Sequence, residues 1–188
     1  MKESIFNHIE SNPVIAAVQN IEDVETALGS EVGMIILMCA NIMNAREMVN
    51  KIQAAKKLVI IHMDFLEGIG RDQKAVEYVA TVLQPDGIIS TRNSHIKHAK
   101  QCGMFAVQRF FLIDNKSYET AILSVKTNKP DMIEVMPGVM PTIIKRITKD
   151  LDIPVIAGGL ISTKQDIMEA LEAGAIAAST GKKYLWEL

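Results

Sequence analysis

Two small-residue segments near the end of the chain have the chemistry of an anion cradle. Residues 154–161 read Pro-Val-Ile-Ala-Gly-Gly-Leu-Ile, and residues 174–181 read Gly-Ala-Ile-Ala-Ala-Ser-Thr-Gly. Each is a short apolar strand running into a turn. At those turns Gly158, Gly159, Ser179, Thr180 and Gly181 leave backbone N–H groups uncovered enough to face a negatively charged oxygen. A single turn glycine has a simpler use, the relief of crowding. Two such turns at consecutive strand ends are what a phosphate group needs, so a small phosphorylated ligand is the first expectation.

A second set of polar residues stands where other strands end. Residues 58–64 read Leu-Val-Ile-Ile-His-Met-Asp. The two-residue period of a strand puts Ile60, His62 and Asp64 on one face and Ile61 and Met63 on the other. In residues 132–136, Glu134 lies between Ile133 and Val135. A face that meets covering helices must be apolar, so His62, Asp64 and Glu134 are expected to point inward. Glu67, Ser90 and Arg109 fall at or just beyond neighbouring strand ends, as does Gln19. These residues admit several readings. Glu134 and Arg109 can form an inert internal ion pair, and His62 can be a hydrogen-bonded core histidine. The carboxylates can accept hydrogen bonds from the hydroxyls of a glycerol-like ligand. Asp64 or Glu134 can also act as a base with His62 as the acid. Two carboxylates on different strands do not specify a metal, and none is expected. No strand-interior lysine for a Schiff base and no serine-centred nucleophile elbow is present.

The elements that must position these residues are legible as eight apolar runs, at 14–18, 34–38, 58–63, 87–91, 105–113, 132–136, 154–157 and 175–179. They are near-continuous rather than alternating, the pattern of parallel strands covered on both faces. Helical stretches lie between them. Asn41 precedes one. Thr163 and Asp166 have the spacing of a capping box, and Gly29, Gly103 and Gly174 fall where left-handed caps close helices. Eight strand–helix units in 188 residues allow about 24 residues each. The fold class expected is α/β, a compact (β/α)8 barrel with short loops, as one domain over residues 1–188. In such barrels the loops after strands seven and eight commonly hold phosphate, which is where the two glycine segments fall. A flavodoxin-like sheet is the rival, but it needs fewer units.

Composition narrows the function. The net charge is −2 and aromatics are 5% of the chain, so no global feature announces nucleic acid. Cys39 and Cys102 form neither a disulfide framework nor a zinc set, and both are expected as buried or half-buried free thiols. There is no signal-peptide pattern and no membrane-length apolar run, so a cytoplasmic protein with no membrane partner is expected.

At the same residues the chain resembles the glycerol-3-phosphate-responsive antiterminator family of bacterial regulators. The matching stretches are 62–72 (His-Met-Asp-Phe-Leu-Glu-Gly-Ile-Gly-Arg-Asp), 87–92 (Gly-Ile-Ile-Ser-Thr-Arg), 108–114 (Gln-Arg-Phe-Phe-Leu-Ile-Asp) and 131–138 (Asp-Met-Ile-Glu-Val-Met-Pro-Gly). Residues 154–161 and 179–186 continue the match, so it covers nearly the whole chain in order. Met63 and Phe65 depart from the more aliphatic surroundings expected of Asp64, and Gly181 replaces a small hydroxyl residue. The resemblance implies a barrel that takes glycerol-3-phosphate as effector, needs no cofactor and is not an enzyme. It also implies action on the leader mRNA of a glycerol-utilisation operon, letting transcription pass a terminator, and leaves a homo-oligomer open. Phosphate is then expected on Gly158, Gly159, Ser179, Thr180 and Gly181. The glycerol part is expected on His62, Asp64, Glu67, Ser90, Arg109 and Glu134. Four basic clusters are candidates for RNA: Lys56–Lys57, Lys97 to Lys100, Lys145 to Lys149, and Lys182–Lys183. The second and third rank first. The alternative is a small phosphosugar-handling barrel enzyme of isomerase or lyase type.

Overall fold

The computed structural model describes residues 2–188. The strands are β1 (Val14–Val18), β2 (Met34–Leu37), β3 (Leu58–His62), β4 (Gly87–Ser90), β5 (Phe105–Phe111), β6 (Met132–Met136), β7 (Val155–Gly158) and β8 (Ala177–Thr180). They pair in parallel in chain order, and β8 closes back on β1 to complete the barrel. Helices α2 (Asp23–Gly29), α3 (Ala45–Ala54), α4 (Gln73–Tyr78), α5 (Asn93–Gln101), α6 (Asn115–Asn128), α7 (Pro141–Asp150) and α8 (Lys164–Glu172) each follow a strand. A π turn, Val79–Leu83, extends α4, and one turn of 3-10 helix, Lys183–Leu185, follows β8. The eight apolar runs of the sequence are these eight strands, within about two residues at each end.

Local chemistry sets the helix starts. Asp72 and Asp114 accept from backbone N–H groups in the first turns of α4 and α6, and Thr163 with Asp166 forms the expected capping box at α8. Gly103 and Gly174 take positive φ (+76° and +102°) between helix and strand, as a left-handed cap requires. Gly29 does not. It is the last residue of α2, and the chain leaves through an extended Ser30, so the turn needs no glycine there. The cap of α3 is Asn44 rather than Asn41, whose side chain instead accepts from the N–H groups of Met43 and Asn44. Both cysteines are free. Cys39 is half-buried as expected, but Cys102 is exposed because it caps the C-terminal end of α5 on the surface.

Helix α1 (Lys2–Ser11) has no counterpart in the sequence reading. It precedes β1, and its Ile5 and Ile9 are buried in one apolar cluster with the lower interior of the barrel: Ile15, Met34, Leu58, Ile60, Phe105 and Met132. Phe6 meets Phe105 edge-on with ring centres 6.4 Å apart. The N-terminal end of the barrel is thereby plugged with apolar side chains, and polar chemistry is left to the opposite end. Ile5 is fully buried. Replacing it with alanine removes apolar surface and leaves a cavity against the barrel floor, at a cost of about 2–5 kcal/mol. A urea midpoint for Ile5→Ala indistinguishable from the parent's would show that α1 does not plug the barrel.

Candidate functional site

The upper interior is built around the carboxylate of Glu134 on β6, which is fully buried. One oxygen accepts from Nε of Arg109, its in-register neighbour on β5. The other accepts from the hydroxyl of Ser179 on β8 at 2.6 Å. Arg109 is itself only 6% exposed, so the pair is shielded from solvent and each ion depends on its partner. Between β6 and β8 runs β7, and Gly158 is the residue that lets the carboxylate pass. A Cβ there would stand 2.7 Å from Glu134 Oε1 and 2.8 Å from Ser179 Oγ.

Above this cluster opens a cavity of about 510 Å³. Its wall is the β7–α8 loop from Gly159 to Ser162 and the end of β8 from Ser179 to Lys182, completed by Ala17, Gln19, Met38, Met136 and Arg109. The two loops are braced to each other. Thr180 Oγ1 donates to Ile161 O (2.8 Å) and accepts from Lys182 N, and the Tyr184 hydroxyl donates to Ser162 O (2.6 Å). Trp186, buried below, donates its Nε1–H to Thr180 O at 2.9 Å. The amides of Ser162 and Thr163 are already taken by the Asp166 carboxylate. Those of Gly159, Leu160, Ile161 and Gly181 donate to no protein acceptor among the described residues. The wall thus offers open N–H groups, the Lys182 ammonium and the Arg109 guanidinium, which together suit an anion.

The expected phosphate residues divide accordingly. Gly159 and Gly181 line the cavity with open amides. Gly158 also makes room for Glu134, and the side-chain hydroxyls of Ser179 and Thr180, as distinct from their amides, are engaged by Glu134 and by the loop brace. Gly159 is needed for its own geometry: its φ is +74°, and a Cβ would fall 2.5 Å from Met136 Cε.

The expected hydroxyl-reading residues divide as well. Arg109 lines the cavity, whereas Glu134 lies beneath it, fully buried and outside the lining. Asp64 lies farther round the mouth, where it accepts from Thr91 N (2.9 Å), Ser90 Oγ (3.1 Å) and Arg92 Nε (3.2 Å). Burial raises the Asp64 carboxyl, but the hydrogen bonds it accepts from the Thr91 amide and the Ser90 hydroxyl outweigh it and hold it below the usual carboxylate range. Ser90 is fully buried and also meets His95 Nδ1 at 2.9 Å, so it ties the β3 and β4 loops to α5. Glu67 is exposed, and its backbone bridges to Asn41 in the β2–α3 loop, outside the cavity. Arg92, His95, Lys182 and Trp186 are the parts of this mouth that spacing did not mark as site residues. Lys182 had a usable signal, since it directly follows the second glycine turn.

His62 is 1% exposed with neither ring nitrogen hydrogen-bonded. It points into the barrel as the strand period requires, and its ring packs edge-on against Phe65 with centres 4.6 Å apart. Burial and then the Arg109 charge push its pKa down to about 3, against the pull of Asp64 3.7 Å away. The imidazole is therefore neutral near pH 7 and presents one donor and one acceptor.

The chain matches the family model described as "Glycerol-3-phosphate responsive antiterminator" over residues 14–186. It is 36% identical over 184 residues to the uncharacterised protein YgcP of Escherichia coli K12, covering 98% of this chain and 96% of that one. The crystal structure of a glycerol uptake operon antiterminator regulatory protein from Listeria monocytogenes superposes with a TM-score of 0.90 at 37% identity, over 94% of this chain and 95% of that one. A glycerol uptake operon antiterminator-related protein from Thermotoga maritima gives 0.83 at 30% identity, over 93% and 98%.

Two predictions follow from this geometry. Gly158→Ala should destabilise the barrel by about 1–3 kcal/mol, because the added methyl displaces Glu134 from Ser179; a midpoint equal to the parent's would mean that the carboxylate has another place to go. His62 binds its proton more weakly folded than unfolded. Its contribution to stability is therefore present above the ordinary histidine value of 6.5 and is lost as pH falls from there towards 3. Nuclear magnetic resonance of the imidazole should find it neutral at pH 5, and a midpoint above 6 would contradict its burial.

Proposed function

The chain belongs to the glycerol-3-phosphate responsive antiterminator family, and from that premise we propose that it is a ligand-gated regulator of a glycerol operon. Glycerol-3-phosphate is its effector, and the operon's leader mRNA is its target in the cytoplasm. The carrying observation is the cavity between the β7 and β8 ends, where open amides converge with Lys182 and Arg109. The phosphate takes the amides of Gly159, Leu160, Ile161 and Gly181 together with Lys182. The glycerol hydroxyls fall towards Arg109, Gln19 and Ser179, which line the cavity above the buried Glu134. Glycerol supplies both donors and acceptors, which this mixed lining accommodates.

The same geometry disfavours the enzyme reading. Both candidate bases already accept from protein donors, Glu134 from Arg109 and Ser179, Asp64 from Thr91, Ser90 and Arg92. The imidazole proposed as acid is neutral at working pH. A general acid–base pair needs one partner protonated and one free to accept near neutrality.

Glycerol-3-phosphate at 100 times its Kd should stabilise the fold by about 2.7 kcal/mol, a rise in Tm of roughly 5–10 °C for a chain of this size. Plain glycerol should do far less; equal shifts would remove the phosphate site. Gly181→Val is the cleaner probe of the amides, because a Cβ there meets nothing closer than Ala17 O at 3.5 Å. The variant should fold and bind the effector more than about tenfold more weakly, or about 1.4 kcal/mol. Effector and leader RNA should tighten each other by the same factor. Turnover of a phosphosugar without leader binding would instead favour the enzyme.

A further inference from the structure

The basic clusters that ranked first for RNA are partly occupied. Lys100 pairs with the buried Asp131 at 2.5 Å, and His98 meets both Glu77 and Gln101. Arg146 lies over the Tyr118 ring, 4.3 Å from its centre. Lys57 donates to the carbonyls of Ser30 and Val32, and Lys183 to Asp23. A polyanion bound at those helix faces would have to compete with contacts already made.

The barrel mouth is different. Of twelve large apolar side chains exposed among the described residues, eight stand at the C-terminal ends of the strands or in the segments that follow them: Ile21, Ile42, Met43, Phe65, Phe111, Ile113, Leu160 and Tyr184. That bias marks one end of the molecule as an interaction face. The aromatic residues sharpen it. The chain has nine, and those more than half open to solvent or at that limit are Phe65 (50%), Phe111 (54%) and Tyr184 (63%), all at the mouth. Arg71, Arg92 and Lys182 are exposed on the same loops. Arg92 spends only its Nε–H on Asp64, and its side chain is 42% exposed. Among the acids of this face, Asp23 is paired with Lys183, and Asp72 and Asp114 are bound into helix caps. Glu22 and Glu67 remain open.

We infer that this rim grips single-stranded RNA, with Phe65, Phe111 and Tyr184 as base-stacking platforms and Arg71, Arg92 and Lys182 as phosphate contacts. The inference rests on the function proposed above. Exposed aromatic faces interleaved with cations are what an unpaired strand needs, because every base has a face to stack and every nucleotide a charge to neutralise. A second copy of the chain docked mouth to mouth would set like cations against each other, so charge complementarity favours a polyanion. The location also joins the two ligands. Phe65 packs on His62, beside the Arg109 charge, and Leu160 and Lys182 belong to the wall of the cavity and to the rim at once.

The test is titration of a glycerol-operon leader transcript at saturating glycerol-3-phosphate, for the parent, Phe111→Ala, Phe111→Trp and the double variant Lys145→Gln/Lys149→Gln. Phe111→Ala should lose at least about fivefold in RNA affinity, the low end for one stacked base, and Phe111→Trp should recover it. The lysine variant should bind as the parent does. The effector-induced melting shift and the sedimentation coefficient should be unchanged in all four. Parent-like binding by Phe111→Ala would overturn the rim while leaving the proposed function intact. A changed sedimentation coefficient without tryptophan rescue would make the rim a self-association surface. A parent protein that binds no leader would remove the inference together with the function it rests on.

Discussion

The buried Glu134 carboxylate constrains the whole upper barrel. An ionised carboxylate out of water must be held by donors, and removing one partner of such a group typically costs 3–5 kcal/mol. Arg109 supplies one donor from the adjacent strand and Ser179 another from two strands away. Those partners tie three strands together, and the strand between them can carry no side chain at that height, so Glu134 by itself requires Gly158. Met136-Pro137-Gly138 packs against the same point. A Cβ on Gly138 would fall 2.8 Å from Gly158 N, and its own N–H donates to Gly158 O and Gly159 O.

At the opposite end of the barrel, α1 supplies apolar closure. With Ile5 and Ile9 filling the lower mouth, the interior is sorted into an apolar floor and a polar ceiling. The loops above are then held by side chains rather than by length. Thr180 and Tyr184 each place one hydrogen bond across the β7–β8 mouth, and Trp186 holds the end of β8 from below through Thr180 O. These braces leave the amides between them free without leaving the loops loose, and such preorganisation lowers the ordering cost of binding a small anion.

Much of this was legible in residue types. Near-continuous apolar runs located eight strands because parallel strands covered on both faces leave few polar positions. Strand period placed His62 and Glu134 inward because an outward charge would have met a helix. Thr163 and Asp166 announced their cap because that geometry is local. What escaped depends on distance along the chain. Helix α1 carries only Ile5, Phe6 and Ile9 as its signal, and their partner surface is assembled from strands that close around it. That the Thr180 hydroxyl braces the two loops cannot be read until its acceptor, Ile161 O, is known. Asp64 reads as an open carboxylate until Thr91, Ser90 and Arg92 fold back on it. Gly29 reads as a left-handed cap until the chain leaves α2 through an extended Ser30.

The β7–α8 loop carries a further signature that links cavity to rim. Non-glycine residues with positive φ occur at Lys56, Gln84, Lys129 and Leu160. The first three close helices or the π turn, where the left-handed conformation is an ordinary stop signal. Leu160 closes nothing. It follows Gly159, also left-handed, in a loop between a strand and a helix start, and its side chain is 73% exposed. A left-handed non-glycine residue costs of order 1–3 kcal/mol and persists where its surroundings impose it. Here the surroundings are the Gly138 N–H on the carbonyls of Gly158 and Gly159 and the Thr180 hydroxyl on that of Ile161. Strain is thus stored in the segment whose amides are open and whose leucine stands on the rim. A ligand shifts a conformational equilibrium only by its difference in affinity for the two states. An anion that takes the Gly159 and Leu160 amides interacts differently with this arrangement and with any relaxed one, which supplies the difference that coupling between cavity and rim requires.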